Sequence, residues 1–126
     1  MKNDPKKTGI VHLWNLPEKE TYLDLVEPFR IEFLNKARYV AGGKWNDLAR
    51  KLYLPISKKD NSCGVIRSFR RKHPTSLGLI NKISNFLIDN GYSRFSLENI
   101  EKNIASLGVK SSKYRLKNPK LPFDFN

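Results

Sequence analysis

The fold is decided by two short stretches, Gly43-Lys-Trp-Asn-Asp-Leu-Ala-Arg-Lys-Leu52 and Val65-Ile-Arg-Ser-Phe-Arg-Arg71. In the first, apolar side chains recur at spacings of three and four residues, which predicts a short helix that runs to Tyr53 because Pro55 blocks its continuation. In the second, we expect Val65, Ile66 and Phe69 to be buried and the arginines to project to another side. The sequence therefore predicts two successive helices, the second spanning residues 62–72 after an N-cap at Asn61 or Ser62.

Helical spacing continues on both sides of this pair. From Thr21 to Val40 the apolar residues predict one helix buried on one face, in which Pro28 marks a kink or a fresh first turn. A further helix is expected between a cap at Thr75 or Ser76 and the Asn90-Gly91 stop, and another between Ser96 and Gly108. The core positions of these last two helices are Leu77, Ile80, Ile83, Phe86, Leu87, Leu97, Ile100, Ile104 and Leu107. We therefore predict an all-α fold of about five helices with a helix-turn-helix core.

The chain divides into three expected segments. Residues 1–16 form an N-terminal arm followed by an apolar anchor, which is either a strand or an extended piece. Residues 17–108 form the helical domain. Residues 109–126 are rich in Lys, Ser, Asn and Pro, which favours an extended C-terminal linker or tail.

Charge is the strongest functional signal in the sequence. Lys and Arg number 24 against 12 Asp and Glu, which leaves a net charge of +12. Between residues 50 and 88 the only acidic residue is Asp60, so the middle of the chain is a basic block. Such a balance favours a polyanionic partner, nucleic acid first. A solubilising charge, a thermophile-type charged surface and an acidic protein partner are the alternatives.

The cysteine and histidine content bounds the chemistry. A single cysteine, Cys63, excludes an internal disulfide, and with His12 and His73 it cannot complete a four-ligand zinc site. We expect Cys63 to be a small buried hydrophobe and predict no metal or cofactor. Apolar runs are too short for a membrane span, and the N-terminus lacks the apolar part of a signal peptide, so we expect a cytoplasmic protein.

The second helix of the pair carries the expected binding site. An α-helix fits the major groove of DNA, and arginine can donate two hydrogen bonds to guanine or grip phosphate. Arg67 and Arg71 are four residues apart and share a face, Arg70 flanks them, and no acidic residue follows at helical spacing. The alternative is an ordinary solvated helix face. The expected DNA-contacting residues are Lys44, Lys58, Lys59, Ser62, Arg67, Arg70, Arg71 and Lys72.

Lys44, Lys58 and Lys59 are better placed for phosphates than for bases, because they lie before or between the two helices. Trp45 is expected in the core, with stacking on a base or sugar as the alternative. The carboxylates are scattered, so we predict that this chain is not an enzyme. Three rivals stay open: a structured-RNA binder, a nuclease with an unrecognised metal site, and a protein-interaction module.

Three parts of the sequence resemble a known arrangement. Leu48-Ala49 in the first helix, the arginine helix, and Pro74 followed by Leu77 and Ile80 are similar to the repressor-type helix-turn-helix of transcriptional regulators. Two features depart from that family: Tyr53 stands where a turn glycine is usual, and the connection between the helices is several residues longer.

The tail adds a second resemblance. Lys117-Asn-Pro-Lys-Leu-Pro-Phe-Asp-Phe-Asn126 resembles the linker that joins such a basic domain to a LAGLIDADG homing-endonuclease domain in archaeal proteins, and Trp14-Asn-Leu-Pro17 is also similar to that group. The resemblance implies a target-recognition module that binds duplex DNA, with a nuclease domain in a longer parent protein. The LAGLIDADG helix is absent from this sequence, so the resemblance carries no catalytic residue onto it.

Overall fold

An antiparallel sheet lies beside the helices in the computed structural model, which describes residues 12–71 and 74–109. Within those residues the strands are β1 (Thr21–Leu25), β2 (Thr75–Ser76) and β3 (Ile104–Val109), and they pair in the order β2-β1-β3. The helices are α1 (Glu27–Ala41), α2 (Trp45–Lys51), α3 (Gly64–Arg70), α4 (Leu77–Asp89) and α5 (Leu97–Glu101), with 3₁₀ turns at Leu13–Asn15 and Ser93–Phe95. The all-α prediction is therefore wrong: the fold mixes helices with a three-stranded sheet.

The first expected helix begins later than predicted because its start is a strand. Thr21, Leu23 and Leu25 are buried and alternate with the half-buried Tyr22 and Asp24, which is the period of a strand covered on one face. Spacings of two and three residues among so few apolar side chains suit either structure, and the strand is selected by its partners, which complete its backbone hydrogen bonds. Pro28 lies in the first turn of α1, which confirms the fresh-start alternative.

The last expected helix is wrong in its second half. α5 ends at Glu101, and residues from Ile104 onward form β3, whose Leu107 lies opposite Leu23. The register shifts between Asp24 and Leu25. Ile104 is buried, as expected, whereas Leu107 is only half-buried, and both lie on a strand instead of a helix.

The core is centred on aromatic side chains. The ring of Phe33 on α1 lies 5.7 Å from that of Phe29, 6.3 Å from that of Phe69 on α3, and 5.6 Å from that of Phe95. These contacts tie α1, α3 and the second 3₁₀ turn together. Predicted core positions that are buried include Leu48, Ala49, Leu52, Cys63, Ile66, Phe69, Leu77, Ile80, Ile83, Leu87 and Ile100.

Four core predictions fail in part. Val65 is 43% exposed, because it lies on the flank of α3 rather than on the side that carries Ile66 and Phe69. Phe86, Leu97 and Leu107 are only half-buried against the core. α3 is also shorter than expected: its N-cap is Cys63, and Ser62 has another partner.

The ends of the other helices follow local rules. Ser76 caps α4, since its Oγ accepts a hydrogen bond from the Leu79 amide at 3.3 Å. Gly42 and Gly43 end α1 with φ of 139° and 103°, a backbone region that favours glycine. Among the described residues, no helix is both long and apolar enough to cross a membrane.

The expected terminal segments are described only at their inner ends. Residues 12–16 contain a 3₁₀ turn where a strand or an extended piece was expected, and Leu13 in that turn is fully buried. Val109, the first residue of the expected tail, is the last residue of β3. Residues 1–11 and 110–126 lie outside the described part of the chain.

Candidate nucleic-acid interface

Two helices and a structured connection build the candidate interface. The connection from Leu52 to Cys63 turns through two residues with left-handed backbone, Tyr53 at φ 58° and Asn61 at φ 51°. Ser57 and Ser62 form a β-bridge across it, and the Asn46 side chain of α2 donates to the Asn61 carbonyl at 3.0 Å. Tyr53, although not a glycine, thus takes the left-handed conformation that a turn glycine would provide.

Arg67 is tied to this connection. Its Nη1 lies 3.2 Å from Asp60 Oδ2 and donates to Ser62 Oγ at 2.6 Å. Asp60, the one acidic residue of the basic block, therefore forms an ion pair with Arg67. Spacing within α3 could not predict this pair, because Asp60 lies before the helix. A hydrogen bond from the Ser57 side chain, with further ones from Arg67 and Ser62, lowers the pKa of the Asp60 carboxyl below its ordinary value.

Arg70 points elsewhere. Its guanidinium carbon lies 4.4 Å from the centre of the Trp45 ring at the start of α2. The three arginines therefore do not form one stripe: Arg67 faces the connection, Arg70 faces α2, and Arg71 is exposed at the end of α3. Among the described residues, Arg71 has no ion-pair partner.

The side of α3 opposite its buried residues is open to solvent. Gly64, Arg67, Ser68 and Arg71 recur there at spacings of three and four, and none of them is buried. Gly64 has no side chain and Ser68 has a short one, so the arginines are the long side chains of this surface, and the Arg67 guanidinium lies near Gly64 on its way to Ser62 and Asp60. This geometry suits insertion of the helix into a groove.

The lysines expected at phosphates are all exposed. Lys58 and Lys59 lie on the connection, and Lys44 is the N-cap residue of α2, where its amide donates to Asp47 Oδ2 at 3.2 Å. Lys72 lies outside the described residues. We use the name basic face for Lys44, Lys58, Lys59, Arg67, Arg70 and Arg71.

Three contacts link the elements that carry the basic face. Asn46 joins the start of α2 to the connection, Arg67 joins the connection to α3, and Arg70 joins the end of α3 back to Trp45. The cations of the basic face therefore belong to segments that contact one another. Concentrated positive charge of this kind attracts polyanions over distances of about the Debye length.

Two further arginines belong to this region and were not expected there. Arg38, in the last turn of α1, lies with its guanidinium carbon 4.8 Å from the centre of the Trp45 ring. Arg30 is only 5% exposed, and its Nη1 donates to the Arg70 carbonyl at 2.8 Å. The sequence feature that could have placed Arg38 here is the Gly42-Gly43 turn. This turn brings the last turn of α1, which carries Arg38, beside the first turn of α2.

Trp45 fits neither expectation fully. It is half-buried and packs against the core with part of its surface, while guanidinium groups lie over its ring. A cavity of about 200 Å³ opens beside it, lined by Ile31, Asn35 and Arg70 among others. One part of Trp45 therefore packs against the core, and its ring holds the guanidinium groups of Arg38 and Arg70.

In the described part of the chain, no group of three or more His, Cys, Asp or Glu side chains is arranged to hold a metal ion. No family model, curated protein or solved structure matches this chain. What the molecule binds is therefore inferred from its own side chains and their surroundings.

Proposed function

We propose that this chain binds duplex DNA through the basic face, with the open side of α3 in the major groove. The observation that carries the proposal is the open side itself, where Arg67 and Arg71 stand beside Gly64 and Ser68 on a helix anchored from behind by buried Ile66 and Phe69. Buried anchors let the helix press its polar side against DNA without losing its own packing. The lysines of the connection then meet phosphates at the groove edge.

Arg67 and Arg71 differ in what DNA would offer them. Arg71 has no described carboxylate partner, so a base edge or phosphate is its first strong partner. Arg67 already has Asp60 as a partner, so DNA must replace the Asp60 carboxylate or share the Arg67 guanidinium with it. A substitution at Arg71 should therefore cost more affinity than one at Arg67.

The test is binding of a fluorescently labelled random-sequence duplex, followed by anisotropy at low salt. Replacing both Arg67 and Arg71 by Ala should weaken binding at least about tenfold, while circular dichroism and the melting transition stay unchanged. Lys102→Ala is the matched control, because Lys102 is exposed at the C-cap that follows α5 and lies outside the basic face. Equal affinities for the double variant and the control would refute the proposal.

The same experiment separates DNA from RNA. The major groove of an RNA duplex is too deep and narrow for a helix to read, so a DNA duplex should outcompete an RNA duplex of the same sequence. Preferential binding to RNA would contradict this mode of binding. No shift of either nucleic acid at low salt would point instead to an acidic protein partner.

The resemblance of residues 117–126 to a LAGLIDADG linker supports a finer proposal. Under it, the chain is the target-recognition module of a homing-endonuclease-like protein and contributes binding, whereas catalysis belongs to a domain of a longer parent. A cytoplasmic location is part of this proposal, since the single thiol, Cys63, is buried and needs no oxidising compartment.

Two observations test the finer proposal. Supercoiled plasmid incubated with this chain and magnesium or manganese should remain intact. Nicking would contradict the proposal that this chain binds DNA and a separate domain cleaves it. A LAGLIDADG block in the reading frame after Asn126 would support it, and a different domain in that frame would refute it.

A further inference from the structure

Two guanidinium groups lie over the Trp45 ring, away from the open side of α3. Arg38 and Arg70 approach the ring to 4.8 and 4.4 Å, measured from each guanidinium carbon to the ring centre. They come from α1 and α3, whereas the tryptophan begins α2. No described carboxylate lies within ion-pair distance of either guanidinium.

Such an arrangement needs an explanation because two like charges near one ring repel each other. Each gains a cation–π contact with the indole, which offsets part of that repulsion. A guanidinium over an aromatic ring still has its N–H groups free at its edge. The pair therefore keeps unused donors for a group that accepts several hydrogen bonds and carries negative charge.

The backbone beneath the pair is held in place. Arg30 is buried, donates to the Arg70 carbonyl at 2.8 Å, and has its Nη2 3.6 Å from a Glu27 carboxylate oxygen. This contact fastens the backbone at the end of α3 to α1, which fixes the point from which the Arg70 side chain reaches Trp45. The cation–π contacts then hold both guanidinium groups near the ring in the free protein, which lowers the entropy lost on binding.

We propose that Arg38 and Arg70, positioned by Trp45, form a clamp for one phosphodiester group of the nucleic-acid backbone. The inference rests on the proposed function and sharpens it: Arg70 binds phosphate rather than a base, and Arg38 and Trp45 join the interface. Because phosphates are the same at every base pair, the clamp contributes affinity and salt dependence without sequence preference.

The first test measures affinity for two duplexes of different sequence over a range of salt concentrations. The Arg38→Gln/Arg70→Gln double variant should bind both duplexes more weakly, with the ratio of the two affinities unchanged. The slope of log K against log salt should fall in magnitude by about 0.9, the value for one lost phosphate contact. Arg38→Lys/Arg70→Lys should retain the slope because it retains the charge, and Lys102→Gln is the remote control.

The second test does not depend on DNA. Trp14→Phe leaves Trp45 as the sole tryptophan, so its fluorescence reports on the clamp alone. Titration with pyrophosphate should give a saturable change in this signal, and the change should be lost when Arg38→Gln and Arg70→Gln are added to the same background.

The two tests separate failure of the clamp from failure of the proposed function. If the Gln double variant binds duplex DNA with an unchanged salt slope, the clamp is overturned and the proposed DNA binding is retained. If the protein binds no duplex but gives a saturable pyrophosphate response, the proposed DNA binding is overturned and the anion site at Trp45 is retained. No saturable response in the Trp14→Phe protein would overturn the clamp whatever the duplex result.

Discussion

The packed core with its sheet and the connection between α2 and α3 are held in different ways. In the core and sheet, β1 lies between two partners, Phe33 is fully buried, and the buried Glu101 accepts a hydrogen bond from the Leu13 amide at 2.7 Å. In the connection, every residue from 57 to 61 is exposed, and the chain is shaped by left-handed residues and hydrogen bonds at the surface.

This difference separates stability from shape. Apolar burial accounts for most of the free energy of folding, so the core and sheet carry the stability. The connection contributes little burial but determines the positions of Asp60 and Ser62, and through them the direction of Arg67. Changes in the core and sheet should therefore affect unfolding most, and changes in the connection should affect binding most.

The largest effect is expected from Phe33→Ala. Its ring contacts three other phenylalanine rings, so truncation leaves a cavity in the middle of the core and should lower the free energy of unfolding by about 3–5 kcal/mol. Urea unfolding monitored by circular dichroism measures the loss. Ile31→Ala, at an exposed position of the same helix, should change it by less than about 0.5 kcal/mol. Equal losses for the two variants would contradict the assignment of the core.

Glu101→Ala should have the next largest effect. The variant leaves the Leu13 amide without its buried acceptor and removes the partner of His12 Nδ1 at 3.2 Å, at a cost of about 1–3 kcal/mol in unfolding free energy. Glu98→Ala, an exposed carboxylate on the same helix, is the matched control. If both variants melt at the same temperature, the turn at Leu13–Asn15 does not depend on Glu101.

Tyr53→Gly should act in the opposite direction. Tyr53 is 91% exposed and is held in a left-handed backbone conformation that glycine adopts without strain. The free energy of unfolding of the variant should therefore rise by up to about 1 kcal/mol, after subtraction of the entropy that glycine loses on folding. Tyr53→Ala removes the same side chain but keeps the strained φ, and it should show no gain. Identical melting temperatures for Ala and Gly would mean that the backbone conformation costs nothing.

Asp60→Asn should change stability least, because the pair with Arg67 is exposed to solvent. Affinity for duplex DNA should rise, since Arg67 loses its competing carboxylate; a fall in affinity would show that Asp60 orients Arg67 for binding.

The pH dependence of this pair has a defined sign. Because the pKa of Asp60 is lowered in the folded protein, its contribution is complete above the ordinary value of 3.8 and is lost as pH falls through the lower folded value. Melting temperatures of wild type and Asp60→Asn should therefore converge in acid and separate only above that range; a difference that grows as pH falls would contradict this sign.

Where local signals were strong, the sequence predicted structure well. α4 begins at its Ser76 cap and carries a regular apolar stripe, and the Gly42-Gly43 stop of α1 follows from backbone preference alone. The strands were missed because β1 and β3 are distant in sequence and each is short. Their apolar residues satisfy helical spacing as well as strand alternation until the two segments are placed side by side.

The candidate site divides in the same manner. The basic block and the exposure of Arg71 follow from composition and helical spacing. The separate directions of Arg67 and Arg70 do not, because they depend on Asp60 and Trp45, which belong to other segments. Arg38 was missed altogether, since its place in the site requires the turn between α1 and α2.

By itself, the sequence determined the net charge, the helix ends at Gly42-Gly43 and Ser76, and the buried faces of α2 and α4, because charge, caps and apolar spacing act within a few residues. Only the tertiary structure decided that Thr21–Leu25 and Ile104–Val109 are strands and that Arg38 and Arg70 meet at Trp45. Strand pairing and cation clusters are contacts between distant segments, and their free energy appears only when the whole chain brings those segments together.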